Sequence, residues 1–214
     1  LRNEDFNISN LTYFFNDYLP DQADMFEKSR VVFAFSGHGT NENNKGYLLT
    51  QEAKHLNDVG NSMPLPTLAS LMGRTLDATH HFLALINACE PGNFLKLPFG
   101  NENENFLLPR ESGAHAIMAG GSNQLTWSDT RAGRHGSIFF ESVIDGLRGS
   151  ADLVNPITLK KDGVIEVDEL ERYLKSYIRR KTNNDQVPNG GDIKPGGSDG
   201  GFFFLDLTRQ LHVE

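Results

Sequence analysis

The 214 residues contain one cysteine, Cys89, in the stretch INACEPGN, where an apolar run gives way to Pro and Gly. His38 precedes it by 51 positions (89 minus 38) and occupies a similar place, where the run VVFAF ends in Ser36-Gly37-His38-Gly39. A free thiol, with a pKa of ~8.5, is mostly protonated at neutral pH. A positioned imidazole generates or stabilises the thiolate and later delivers a proton to a leaving amine. Gly39 lets the backbone approach a substrate with no Cβ in the way. Its N–H and that of Cys89 form a pair of donors for a developing oxyanion, each worth ~3 kcal/mol. These parts together make an acyl-transfer site. Taken singly, a His between two glycines reads as a turn residue and a lone Cys as strand-end packing. Both stand at strand ends, and no second cysteine competes, so they are read as a pair.

The elements that position the pair follow from hydrophobic patterning. Four short apolar runs, Val31 to Phe35, Phe82 to Ile86, Ala114 to Ala119 and Phe202 to Leu207, read as strands buried on both faces. Leu65, Leu68, Leu71, Met72 and Leu76 recur at helical spacing, as do Ile138, Phe139, Val143, Ile144 and Leu147. Val167, Leu170, Tyr173, Leu174, Tyr177 and Ile178 form the cleanest stripe, ending in Arg179, Arg180 and Lys181, which suit a helix carboxyl end. Strands alternating with helices predict an α/β domain with a mostly parallel sheet covered on both faces. In such a sheet the strands point one way, and ligands bind along their carboxyl edge. With the Leu65 to Leu76 helix as the crossover, His38 and Cys89 fall on that edge.

Composition sets the surroundings. A chain of this length, 38% hydrophobic and 22% charged, builds one domain over 1–214 without disulfides or metals. A single cysteine fits a reducing compartment. The net charge of -8 argues against nucleic acid and anionic membrane surfaces as partners. No run approaches the ~18 apolar residues of a span, and LRNEDFNISN lacks a signal-peptide pattern, so a cytoplasmic location is expected. Glu90 to Gly113 and Thr182 to Gly201 read as long surface loops, the second as a substrate-groove loop from Gly190 onward. The run from Lys161 to Ile165 imitates half of a calcium loop, but Thr158 and Lys160 stand where carboxylates are required, so it reads as a turn with Asp168 and Glu169 in the next helix's first turn. His80-His81 lacks companion ligands at metal spacing and reads as a strand start. Neither a metal nor a cofactor is expected.

VVFAFSGHG (Val31 to Gly39) and HHFLALINACEPG (His81 to Gly92) resemble the catalytic-histidine and nucleophile strands of the caspase-type cysteine proteases, in the broad sense that includes metacaspases, paracaspases and bacterial caspase-like proteins. The 51-residue separation agrees with the ~50 typical of caspases. HGSIFFESVIDGLRG and DGVIEVDELERYL look like the two helices that follow in microbial members, so the resemblance runs from about Asn7 to Leu207. It implies a three-layer α-β-α sandwich and an endopeptidase with Cys89 as nucleophile, His38 as general acid/base, and the Gly39 and Cys89 N–H groups as the oxyanion hole. Asn87 and Glu90 depart from the Gln and Arg of many caspases and from the acidic residue and His of metacaspases, while Cys-Glu-Pro-Gly is also similar to legumain-type relatives.

Asn87, Trp127, Ser128 and Asp129 are the expected substrate-binding residues, with Asp129 favouring Arg or Lys at the cleaved position and Trp127 walling the neighbouring subsite. The family's opening strand, helix and second strand have no counterpart here, which predicts association with an amino-terminal fragment or a regulatory chain, and activation by processing, for example near Arg110, or within a larger complex. The competing reading is an inactive protease-like module that holds a partner peptide in the same groove.

Overall fold

The computed structural model describes residues 3–26, 28–75, 78–89, 112–121, 124, 126–129, 136–154, 161–193 and 201–206. In chain order its principal elements are α1 (Ile8–Tyr13), α2 (Leu19–Ala23), β1 (Arg30–Ser36), β2 (Gly39–Glu42), β3 (Lys45–Leu49), β4 (Ser62–Pro64), α3 (Leu65–Arg74), β5 (His81–Asn87), β6 (Gly113–Met118), β7 (Ser128–Asp129), β8 (Gly136–Ser137), α4 (Ile138–Asp145), β9 (Val164–Glu166), α5 (Val167–Lys181), β10 (Asn189–Asp192) and β11 (Phe203–Leu205).

The central sheet has the order β1-β5-β6-β10, with β1, β5 and β6 parallel and β10 antiparallel to β6. Every residue of β5, HFLALIN, is buried, as a central strand covered on both faces requires. Its alternation serves two cores. Phe82, Ala84 and Ile86 pack with Ala114, Ala116 and Met118 against Leu11, Phe15, Leu68 and Met72 of the α1 and α3 side. Leu83 and Leu85 pack with Ile117 against Phe139, Val143, Leu170, Leu174 and Ile178 of α4 and α5. Each large side chain buried in this way contributes ~1.5–3 kcal/mol. Helices therefore flank a mostly parallel sheet on both faces, an arrangement compatible with an α-β-α sandwich. The α5 stripe forms as its periodicity predicts, opened by reciprocal capping between Glu166 and Glu169 and closed by Arg179, Arg180 and Lys181.

A second, three-stranded sheet of order β2-β3-β4 is inserted between β1 and its crossover helix α3. Asn43 and Asn44, with φ of 52° and 62°, make the two-residue turn of the β2-β3 hairpin, the left-handed conformation that Asn tolerates.

Three elements differ from the sequence reading. β1 is not buried on both faces: it pairs only with β5 among the described residues, and Val32 on its α4/α5-side face is 48% exposed. An edge strand looks like a core strand in sequence because its other face, through Phe35, is packed. The run Phe202 to Leu207 does not enter the central sheet; Phe203–Leu205 pairs antiparallel with β9 in a separate ribbon. Its apolar character is explained by Phe202 inserting into the α4/α5 core and by the Arg30 guanidinium stacking over Phe202 and Phe203 at 4.3 and 4.2 Å. Thr182 to Gly201 is not all loop: it contains β10, whose NGGD sequence has no strand propensity. A Cβ on Gly190 would lie 2.4 Å from a Glu171 carboxylate oxygen, so any other residue there would displace the Glu171 carboxylate. The greater part of the segment after Cys89, residues 90–111, lies outside the described residues, as do Thr158 and Lys160.

Candidate functional site

The parallel pairing of β1 and β5 runs in one register from Arg30↔His81 to Ser36↔Asn87, a constant offset of 51. His38 and Cys89 stand two residues beyond the last pair on each strand, so the same offset joins them. The ladder continues past the strand ends: the Gly37 N–H donates to the Asn87 carbonyl at 3.1 Å. An ideal Cβ on Gly39 would lie 2.4 Å from the Cys89 carbonyl oxygen and 3.0 Å from the Ala88 Cβ. Only glycine allows the β2 backbone to come this close to the thiol-bearing residue.

The hairpin fixes where the Gly39 N–H points. The Leu49 N–H donates to the His38 carbonyl at 2.9 Å, which makes His38 and Leu49 a hydrogen-bonded antiparallel pair. Gly39 and Leu48 are the next pair and therefore a non-hydrogen-bonded one, with the Gly39 N–H turned away from β3. That donor is left for another acceptor. The His38 side chain is exposed, and the Cys89 side chain is half-buried.

The thiol is turned toward Thr126, with the Sγ 3.4 Å from the Thr126 Oγ1 and 3.5 Å from the Thr126 N–H that donates to it. No hydrogen bond joins it to His38 among the described residues. Two glutamines hold the chain of Thr126 and Trp127 in place. Gln186, fully buried, accepts the Trp127 N–H through Oε1 at 2.8 Å and donates through Nε2 to the Ala119 carbonyl at 2.9 Å. The backbone of Gln186 is bonded to the Thr182 hydroxyl at the end of α5. Gln124 Oε1 accepts from Gly121 at 3.0 Å and Val187 at 2.9 Å. The segment over the sulfur is thus tied to β6, α5 and the approach to β10.

Asn87 is buried and donates through Nδ2 to the Ser36 Oγ at 3.1 Å, while its Oδ1 has no hydrogen-bond partner among the described residues. A buried acceptor without a partner costs ~1–3 kcal/mol. Trp127 is 45% exposed beside the thiol segment. Ser128 and Asp129 form β7, paired with Ser137 and Gly136; their side chains lie outside the described set.

Of the residues singled out from sequence, Cys89, Gly39, Asn87 and Trp127 are gathered around the carboxyl end of β5, with His38 preceding Gly39 in the link from β1 to β2. Thr126, Gln124 and Gln186 were not among the expected site residues. Their polar bonds span up to 67 positions, and nothing local in TNNDQVPNGG marks Gln186 as a buried tie. No protein-family model matches the chain, and no curated protein matches it. No helix among the described residues is long and apolar enough to cross a membrane.

Proposed function

We propose that the protein is a cysteine endopeptidase of caspase-like fold in which Cys89 attacks a peptide carbonyl and His38 acts as general acid/base. The observation that carries this reading is the shared register: one parallel strand pair delivers an imidazole and a thiol to the same edge, with a glycine N–H beside them turned away from its own hairpin. In the reaction the thiolate adds to the carbonyl carbon, and the oxyanion lies between the Gly39 and Cys89 N–H groups. Collapse expels the amine, which takes its proton from His38, and leaves an acyl-thioester on Cys89. Water then attacks that thioester, losing a proton to His38 and restoring the thiol. Catalytic hydrogen bonds commonly tighten only when substrate is present.

Asn87 contributes to the substrate-binding region, and Asp129 favours Arg or Lys at the cleaved position. Trp127 walls the adjoining subsite. A strand and helix from an amino-terminal fragment or regulatory chain would pair with β1 and cover Val32, since one side of that strand has no partner among the described residues. A peptide library incubated with the wild-type protein and with Cys89→Ala tests the assignment. Cleavage that is lost in the variant, with its fold intact, supports it; full cleavage by Cys89→Ala would overturn it. If neither protein cleaves and peptide still binds, the inactive-module reading takes its place.

A further inference from the structure

α5, β6 and β10 converge about 10 Å back along β6 from its carboxyl end, on the face that α5 covers. His115 of β6 and Asp192 of β10 are register partners, and His115 Nδ1 lies 2.8 Å from Asp192 Oδ1. A carboxylate at that distance holds the proton on Nδ1 and leaves the Nε2 lone pair facing the other way. That face carries Asp168 and Glu171, one turn apart on α5, with Asp168 Oδ1 at 3.9 Å from Nε2. One ligand atom from each of His115, Asp168 and Glu171 lies within 4.8 Å of the others.

One further observation points to a cation. Glu171 is 7% exposed; its Oε1 accepts the Gly190 N–H at 3.0 Å, and the other oxygen accepts no hydrogen bond among the described residues. That oxygen is open to a further partner. Three carboxylates thus surround one imidazole, and a divalent ion would complete the set.

We propose that His115, Asp168 and Glu171 bind a divalent transition-metal ion of the zinc class, with Asp192 orienting the imidazole from behind. The imidazole ligand selects against calcium and magnesium, and three protein ligands leave a position for water. Ligand atoms around zinc stand ~3.3 Å apart, and Asp168, with its side chain 70% exposed, has the freedom to close the difference. The ion would brace β10 against α5 and β6, and so the adjoining Gln186 that holds Trp127. This site is independent of the protease reading.

Zinc chloride titrated calorimetrically into chelator-treated protein tests the proposal, with Cys89→Ala as the background so that the lone thiol takes no part. The expected result is one ion per chain and a raised melting temperature, with calcium giving neither. Binding should be lost in Glu171→Gln, lost in the exposed-residue variant Asp168→Asn, and weakened roughly 10- to 100-fold in Asp192→Asn. Absence of stoichiometric zinc uptake, or uptake unchanged in Asp168→Asn and Glu171→Gln proteins with native circular dichroism, would overturn it.

Discussion

The β1-β5 pair and the β6-β10 pair belong to one sheet but are held by different means. The first is parallel, apolar and in a single long register, with side chains such as Phe82, Ala84 and Ile86 providing its packing. The second is antiparallel and short, with Gly190 facing the buried Glu171 and polar side chains carrying its connections. The first pair is held by packing and the second by polar support. Hydrophobic strands bring His38 and Cys89 to one edge; hydrogen bonds from the β10 side position what stands over the thiol.

Substitutions on each side separate the two contributions. His38→Ala should lower peptide turnover ~10²–10⁴-fold without moving the melting temperature, because the side chain is exposed, as steady-state kinetics beside thermal melts will read. Gln186→Ala on the other pair should do the reverse in kind. It strands the Trp127 N–H and the Ala119 carbonyl, each costing ~1–3 kcal/mol, so the denaturation midpoint falls and activity follows through the loosened Thr126 segment. Gly39→Ala and Gly190→Ala sharpen the contrast at a smaller scale, about 1–3 kcal/mol each in urea melts. Both added methyls meet oxygen at 2.4 Å, one the Cys89 carbonyl and the other a Glu171 carboxylate. Only the first should also cut kcat beyond what its stability loss explains.

The smallest effect is a matter of sign. Burial raises Glu171, so its contribution to stability is fullest below the ordinary glutamate range near ~4.3 and is lost as pH rises through the higher folded value. Chelator-treated Glu171→Gln should therefore lose less stability than wild type between acid and neutral pH. Parallel or crossing curves in the opposite sense would contradict the burial argument.

How much was legible in sequence follows the same division. The apolar runs of β1, β5 and β6 and the stripes of α3 and α5 carry their own signal, and the 51-residue spacing of Ser-Gly-His-Gly and Asn-Ala-Cys is the offset of the β1-β5 register. β10 was hidden because NGGD is a strand only through its neighbours. The cluster of His115, Asp168 and Glu171 was equally hidden. His115 lies more than fifty positions from the other two, on a strand rather than on their helix, and each alone is ordinary. Phe202 to Leu207 misled because a ribbon packed on one core looks, residue by residue, like a central strand.

The alkylation rate of Cys89 with iodoacetamide, followed by intact mass across pH in wild type and His38→Ala, tests the central pairing most directly. Alkylation should be rapid at neutral pH and should slow at least about tenfold when the imidazole is removed. Equal rates in the two proteins, or a thiol inert in both, would contradict it.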